Sequence, residues 1–183
     1  MVTTREFLRN AVYDRATVDR FLDPEARNWA VFDSELGYTL KDSVVEDGSD
    51  SSRTISNYAL TSHRLLVNYP DRLCRINTYG DSFTQCQQVN NGESWQEYLA
   101  AHLGEPIRNF GVGGYGVFQA YRRMIREESS TNSADYLILN IWSDDHYRSI
   151  YKWRWLDVGE SNWRNIKIST LNPETLSFAN NPW

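Results

Sequence analysis

The residues best suited to chemistry lie in three short segments, each of which follows a predicted β-strand. These segments are 80–84 (GDSFT), 109–114 (NFGVGG) and 143–146 (SDDH). The first segment offers the hydroxyl group of Ser82, which is a poor nucleophile at neutral pH unless a base accepts its proton. The chain contains three histidines as candidates for this base, namely His63, His102 and His146.

Phosphate and metal binding fit these segments less well. The glycine-rich stretch 111–116 (GVGGYG) is not followed by a Gly-Lys-Ser/Thr sequence and does not keep the Gly-x-Gly-x-x-Gly order of phosphate-binding loops. Asp144, Asp145 and His146 are adjacent, and adjacent side chains on a strand point in opposite directions, so all three rarely reach one metal ion. The sequence therefore predicts neither a cofactor nor a metal site.

Alternating strand and helix signals after Pro70 predict how the three segments are positioned. Short strands are expected over 74–79, 107–110 and 136–142. A capping-box sequence at 94–97 (SWQE) predicts the start of a helix after the first strand. This order is typical of an open parallel sheet with helices on both faces, in which ligands bind beyond the carboxyl ends of the strands.

Apolar spacing predicts how these elements pack. The third strand, 136–142 (YLILNIW), is a nearly unbroken apolar run of the kind that is buried on both faces in parallel sheets. In each of the two predicted helices, residues at intervals of three and four mark one face. The first face comprises Trp95, Tyr98, Leu99, His102 and Leu103. The second face comprises Val117, Phe118, Tyr121, Met124 and Ile125.

The N-terminal part of the chain has a different character. Residues 4–23 carry apolar residues at spacings near three and four, which predicts one or two amphipathic helices. Residues 29–69 contain short β-prone runs separated by polar turns. These runs are 38–40, 44–45, 54–55 and 65–67. We therefore divide the chain into an N-terminal extension, residues 1–72, and a partial α/β domain, residues 73–183.

The motif Gly80-Asp81-Ser82 after a strand resembles the first sequence block of the SGNH/GDSL hydrolases. Segment 109–114 resembles the second block of that family, an Asn followed by a glycine-bearing turn, at about the expected distance downstream. The resemblance covers roughly residues 75–146. It implies a three-layer, flavodoxin-like α/β fold and an esterase that transfers acyl groups, with Ser82 as the nucleophile.

The same resemblance implies an oxyanion hole. In this family, the backbone amides of the nucleophilic serine and of the second-block glycine point at the developing oxyanion. Ser82 and Gly114 match these roles, because Gly114 rather than Gly111 or Gly113 occupies the terminal glycine position of the turn. A turn that serves only the connection from strand to helix is the alternative interpretation.

The third block departs from the family pattern. The family has Gly-x-Asn-Asp, whose Asn side chain completes the oxyanion hole, whereas this chain has WSDD at 142–145. An ionised Asp144 would repel an oxyanion. Asp144 is therefore protonated, or it has another role such as orienting a base, or the hole relies on backbone donors alone.

The fourth block, Asp-x-x-His, supplies the family's general base and the acid that orients it, and it does not occur before Trp183. His146, next to Asp145, is a candidate substitute for this pair, and an ordinary loop histidine is the alternative. The expected sheet also lacks its last two strand–helix units. We therefore expect a C-terminally truncated domain that is inactive or impaired as it stands.

The aromatic residues after Ile150 suggest a non-catalytic alternative. Trp153 and Trp155 would share one face of a strand, and flat aromatic rings suit sugar rings, although core packing explains most tryptophans equally well. The chain would then be an SGNH-like module that binds glycans or a partner protein. As an enzyme, it would act on a small-molecule or glycan ester.

Composition restricts the partners. A formal net charge of −5 and scattered basic residues argue against nucleic acid. The longest apolar run is far shorter than the roughly 20 residues that cross a bilayer, and the N-terminus lacks a signal-peptide core, so we expect a cytoplasmic protein without a membrane span. Cys74 and Cys86 are expected to be free, buried thiols. The sequence leaves the oligomeric state open.

Overall fold

The computed structural model describes residues 15–23, 25–26, 29–46, 48, 52–60 and 63–150, without the side chains of Asp144 and a few other helical residues. The predictions for residues 4–14 and for the Trp-rich segment after Ile150 lie outside the described residues. The elements, in chain order, are α1 (Arg15–Leu22), β1 (Ala30–Asp33), β2 (Gly37–Leu40), β3 (Ser43–Val45), β4 (Thr54–Ser56), β5 (Ile76–Tyr79), α2 (Ser82–Gln85), a 3-10 turn (Asn91–Glu93), α3 (Trp95–Leu103), β6 (Ile107–Asn109), α4 (Val117–Glu128), β7 (Tyr136–Leu139) and α5 (Ser143–Ile150).

The last three strands form the sheet that carries the candidate chemistry. They pair in parallel in the order β6-β5-β7. Ile76 of the central strand lies opposite Ile107 on one side and Tyr136 on the other. The predicted mixed α/β class with a parallel sheet is thus confirmed. The carboxyl ends of all three strands lie at the same edge, directly before segments 80–84, 110–114 and 140–146.

Adjacent residues of the central strand β5 contact different helices. Asn77 Nδ2 donates a hydrogen bond of 2.7 Å to Glu128 Oε1 at the end of α4. Thr78 Oγ1 accepts a hydrogen bond of 3.1 Å from Gln96 Nε2 of α3. Because successive strand residues point to opposite faces, α3 and α4 flank β5 on opposite sides. Both strand side chains are fully buried, so the hydrogen bonds offset the cost of removing polar groups from water.

The face predicted for α3 is wrong. Its buried residues are Gln96, Glu97 and Ala100, whereas Tyr98 and Leu103 are exposed. Hydrogen bonds explain the difference, because the Glu97 carboxylate accepts from the backbone amides of the segment at 67–68 at 3.1 and 2.8 Å. Polar groups with such partners can be buried without a large penalty.

The same preference for partnered polar residues alters two other predictions. Glu97 is not available for a capping box, and the Ser94 side chain makes no cap hydrogen bond, although α3 does begin directly after Ser94. On α4, the buried residues are Ala120, Arg123 and Glu127, and two members of the predicted apolar face are exposed. These two are Tyr121 and Ile125.

The prediction that the third strand is buried on both faces is also wrong. Tyr136 and Leu137 of β7 are 58% and 46% exposed, and the strand ends at Leu139 rather than at residue 142. The reason is its position, because β7 is an edge strand whose one neighbour among the described residues is β5. A strand can be covered on both faces only where layers extend over it.

The N-terminal extension packs directly against the α/β part of the chain. β1 pairs with β2 and β3 pairs with β4, both antiparallel, which confirms the strand predictions at 38–40, 44–45 and 54–55. No strand forms at 65–67. One hydrophobic cluster joins the two parts, and it contains Phe21, Ala30, Leu36, Tyr38, Leu40, Val112, Tyr115 and Ala120.

Ion pairs extend the same interface. Arg122 and Arg126 of α4 lie 2.5 Å and 2.8 Å from Glu35 and Asp33 of the β1–β2 hairpin. Both cysteines are free thiols, of which Cys74 is buried and Cys86 is partly buried. Every helix in the described part of the chain is too short or too polar to cross a bilayer.

Candidate functional site

Ser82 lies at the carboxyl edge of the sheet, where β5 ends and the short helix α2 begins. Asp81 caps α2, because its Oδ1 accepts a hydrogen bond of 2.9 Å from the Phe83 amide. Ser82 is half-buried, and its Oγ has no hydrogen-bond partner among the described residues. As the first residue of a helix, Ser82 also has a backbone amide without an acceptor inside that helix.

Among the residues that the structure describes, the glycine turn after β6 has one backbone amide without an acceptor. The amides of Gly111, Val112 and Gly113 donate to Asn109 Oδ1 at 2.9 Å, Gly80 O at 3.0 Å and Gln85 Oε1 at 2.6 Å, respectively. Within the described part of the chain, the amide of Gly114 has no such acceptor. Gly114, which the family resemblance marks as an amide donor, is thus the residue of this turn whose amide stays available among the described contacts.

This turn lies directly against the candidate nucleophile. A Cβ atom placed on Gly113 would lie 3.6 Å from Ser82 Cβ, which is ordinary van der Waals contact. The segment at 80–82 and the segment at 111–114 are also joined by the hydrogen bond from Val112 N to Gly80 O. The fold thus brings together two of the three segments that the sequence marks as chemical.

The third segment joins the site through a buried cluster of charges. Asp81 and Asp145 are 1% and 2% exposed, and Arg148 of α5 lies between them. Arg148 Nη1 is 3.2 Å from Asp81 Oδ2, 3.0 Å from Asp145 Oδ1 and 3.2 Å from the Tyr115 carbonyl oxygen. The contact with Asp145 Oδ1 has an ion-pair distance without the geometry of a hydrogen bond. The cluster thus connects Asp81, the residue before Ser82, to helix α5, which follows β7.

Two buried carboxyl groups with one shared arginine have an electrostatic cost. Burial raises the pKa of Asp145 to about 6, and the charge of Asp81 and a hydrogen bond with its carboxyl group act in the same direction. The hydrogen bond from Trp142 N to Asp145 Oδ2, at 2.9 Å, and the charge of Arg148 oppose this shift. Asp145 therefore favours the protonated form more strongly in the folded protein than in the unfolded chain.

A pH-dependent stability follows for Asp145→Asn. A folded-state pKa of about 6 against an ordinary value of 3.8 means that Asp145 stabilises the fold below pH 3.8 and loses this contribution as the pH rises through 6. The neutral amide of Asn cannot titrate, so we expect the variant to gain stability relative to the wild type between pH 4 and pH 7, on the order of 2 kcal/mol. Urea unfolding at both pH values measures this difference. A difference that does not vary with pH would contradict the assignment.

The three residues predicted to act as base, acid or orienting group have different surroundings in the structure. Asp145 contacts Arg148 and Asp81, and its role as a base or an orienting group stays a prediction. His146 is exposed on α5. Asp144 is the second residue of α5, and its side chain lies outside the described part of the structure, so its proposed roles stay predictions.

The other two histidines make no described hydrogen bond with Ser82. His63 packs edge-on against Phe110, with ring centroids 5.7 Å apart, and its Nδ1 lies 2.8 Å from the Arg64 carbonyl oxygen. Burial lowers the pKa of His63. His102 is exposed on α3. No histidine in the described ranges hydrogen-bonds to Ser82 Oγ, so the identity of the base stays a prediction.

Sequence reasoning missed a buried arginine that supports the site. Arg64 donates through Nη1 to the carbonyl oxygens of Gln85 and Cys86, at 2.7 and 2.8 Å, and through Nη2 to that of Val89. It therefore fixes the segment that follows Ser82. No local pattern identifies Arg64, whereas the spacing of three between Asp145 and Arg148 is a signal that a helix prediction at 143–150 would have used.

An exposed aromatic pair borders the site. Phe83 and Trp142 are 58% and 52% exposed, and their ring centroids are 5.2 Å apart. Phe83 follows the candidate nucleophile directly, and Trp142 follows β7 at the same edge of the sheet. These rings offer an apolar surface next to the hydroxyl.

No protein-family model, curated protein or solved structure matches this chain. Its function therefore has to be inferred from its own residues. Among the described residues, Ser82 Oγ has no hydrogen-bond partner, and the segment of Ser82 contacts the turn whose Gly114 amide has no acceptor. A free backbone amide of this kind can bind the oxygen of a carbonyl group under nucleophilic attack.

Proposed function

We propose that this chain contains the nucleophile and the oxyanion hole of an SGNH-type serine esterase. The observation that carries the proposal is the contact between the segment of Ser82 and the glycine turn whose Gly114 amide has no acceptor among the described residues. The strand order β6-β5-β7 supports it, because it corresponds to the 2-1-3 part of the flavodoxin-like order. In such sheets, ligands bind beyond the carboxyl ends of the strands, where Ser82 lies.

The reaction has two steps. Ser82 Oγ attacks the ester carbonyl carbon and loses its proton to a base, and the backbone amides of Ser82 and Gly114 donate to the oxyanion of the tetrahedral intermediate. The intermediate collapses to an acyl-enzyme, and the leaving alcohol takes up the proton. Water then attacks the acyl carbon, which releases the carboxylic acid and restores the Ser82 hydroxyl group.

The roles of the remaining residues follow from their contacts. Asp145 holds Arg148 and Asp81, and through them the start of α2, which suits an orienting role more than proton transfer. His146 is the candidate base among the described residues. The proposed oxyanion hole uses the backbone amides of Ser82 and Gly114, and a role for Asp144 stays a prediction. The substrate is a small-molecule or glycan ester whose acyl or alcohol group packs on Phe83 and Trp142.

A fluorophosphonate probe tests the proposal, because it forms a covalent bond only with an activated serine. We expect the wild type to be labelled, Ser82→Ala to take up no label, and the exposed-turn variant Ser133→Ala to be labelled like the wild type. The experiment is done on the 183-residue chain. Absence of label from the wild type would end the esterase proposal.

A non-catalytic binding module is the second candidate. The observation that favours it is the exposed Phe83–Trp142 pair beside a hydroxyl that contacts no base among the described residues. In this case glycan or protein binding would survive Ser82→Ala and would be lost in Trp142→Ala. The labelling experiment separates this candidate from the enzyme, because a pure binding module takes up no probe.

A further inference from the structure

The glycine turn has a defined type. Tyr115 N donates a hydrogen bond of 3.2 Å to Val112 O, which closes a four-residue turn with Gly113 and Gly114 at its centre. Gly114 has a φ of +85°, whereas Gly113 has a negative φ. This combination is that of a type II turn, in which the third residue has a φ near +80°.

A turn with two central glycines does not fix its own type. Types I and II differ mainly by a rotation of about 180° of the central peptide group. Glycine adopts negative and positive φ with similar ease, so both orientations of the Gly113–Gly114 peptide are accessible to this sequence. In a trans peptide, the C=O and N–H groups point in opposite directions. Whatever holds the Gly113 carbonyl therefore also aims the Gly114 amide.

The Gly113 carbonyl is held by a residue of the N-terminal extension. Tyr38 Oη donates a hydrogen bond of 2.6 Å to Gly113 O. Tyr38 is buried, with ring centroids 5.4 Å from Tyr115 and 5.8 Å from Trp29. Its own carbonyl oxygen accepts a hydrogen bond from Tyr115 Oη. The hydroxyl of Tyr38 is thus fixed in place by packing on both sides and by its backbone.

A second contact holds the other side of Gly113. Its amide donates to Gln85 Oε1 at 2.6 Å, and Gln85 Nε2 is 3.3 Å from Tyr58 Oη. Gln85 and Tyr38 therefore use both polar groups of Gly113. The Gly114 amide is the polar group of the central peptide that neither contact uses.

We infer that Tyr38 is a positioning residue for the oxyanion hole, whose hydroxyl group keeps the central peptide of the turn in the type II orientation with the Gly114 amide free to donate. The inference rests on the proposed function. It gives the β1–β2 hairpin a role in the reaction, although the hairpin lies outside the part of the chain that resembles the hydrolase family. A hydrogen bond to the carbonyl also polarises the amide and makes its N–H a stronger donor.

Tyr38→Phe tests this inference, because it removes one hydroxyl group and keeps the ring. We expect the rate constant for fluorophosphonate labelling, and kcat on an ester substrate, to fall about tenfold, with KM changed less than twofold. Tyr121→Phe, which removes an exposed hydroxyl on α4, serves as the matched control and keeps the wild-type rate. A wild-type rate in folded Tyr38→Phe would overturn the inference, and so would a fall that is confined to KM.

A second measurement separates the two proposals. In Tyr38→Phe, the NMR resonances of the Gly113 carbonyl carbon and the Gly114 amide proton are expected to move, because the central peptide gains access to the type I orientation. If the wild type takes up no label, the esterase proposal fails, and the NMR comparison alone decides whether Tyr38 sets the peptide orientation. Unchanged resonances of these two atoms would overturn that role.

Discussion

Replacing Arg148 with Met is expected to lower the free energy of unfolding by about 3–5 kcal/mol at pH 7. The substitution leaves the carboxyl groups of Asp81 and Asp145, which are almost fully buried, without the cation that lies within 3.2 Å of both. At pH 4.5, below the pKa of about 6 at Asp145, one carboxyl group is already protonated, and the loss of stability should be smaller. Urea unfolding at the two pH values measures both quantities.

Two comparisons make this result specific to the buried cluster. Arg75→Met removes a surface ion pair with Glu105 and should cost far less, because solvent screens the attraction between exposed charges. The double variant Arg148→Met/Asp145→Asn removes one of the two carboxylates, so it should be more stable than Arg148→Met alone. If Arg148→Met costs no more than Arg75→Met, the cluster does not fix the segment before Ser82.

Gly111→Ala is expected to destabilise the fold by about 3 kcal/mol or more, because the added methyl group would overlap the backbone of α2. A Cβ on Gly111 would lie 2.3 Å from Gln85 N and 2.6 Å from the Thr84 carbonyl carbon. These atoms belong to the helix that Ser82 begins, and a helix backbone cannot move aside as a flexible side chain can. Any folded fraction should also be labelled more slowly, because the turn and Ser82 would be pushed apart.

Gly92→Ala is the matched control for this prediction. A Cβ on Gly92 would meet Val67 Cγ1 at 3.6 Å, which is ordinary contact, and Gly92 does not have a positive φ. Its stability should stay within about 1 kcal/mol of the wild type or rise slightly, since alanine has less conformational freedom in the unfolded chain. Equal midpoints of urea unfolding for the two alanine variants would contradict the close packing of the turn on α2.

The parallel sheet could be anticipated from the sequence, but burial could not. The alternation of strands and helices after Pro70 predicts a parallel sheet, and the three strands form it. The apolar run at 136–142 suggested a covered strand, yet among the described residues β7 pairs only with β5, and Tyr136 and Leu137 are exposed. Apolar spacing measures what a segment could bury, whereas the position of the strand in the sheet decides what it does bury.

The helix faces were mispredicted for a related reason. Gln96, Glu97 and Arg123 are buried, and sequence patterns rank such residues as surface. Gln96 and Glu97 are buried because each has hydrogen-bond partners in the interior. For example, Gln96 Nε2 donates a hydrogen bond of 2.8 Å to the Thr84 carbonyl oxygen. These partners are distant in the sequence, so no local window contains the information.

Only the part of the candidate site that lies in short local motifs could be predicted from the sequence. Ser82 and Gly114 were selected from two short motifs, and their segments are in contact. Tyr38 and Arg64 support these motifs from 75 and 21 residues away, through bonds to backbone carbonyl oxygens. Every residue has a backbone carbonyl oxygen, so the residue type does not show which one accepts a side-chain hydrogen bond. Sequence patterns therefore cannot identify such partners.

The buried side-chain amide of Asn77 helps to set the register of β5, and therefore the position of Ser82 just beyond the end of this strand. Asn77 Nδ2 lies 2.7 Å from both Glu128 Oε1 and the Asn132 carbonyl oxygen. If β5 slipped by one residue against its neighbours, this amide would turn to the opposite face and lose both acceptors. Such a slip would move Ser82 by about 3.3 Å, whereas a misplacement of about 1 Å is enough to slow an enzymatic reaction a hundredfold. The buried Asn77 side chain therefore sets the position of the Ser82 hydroxyl through the register of β5.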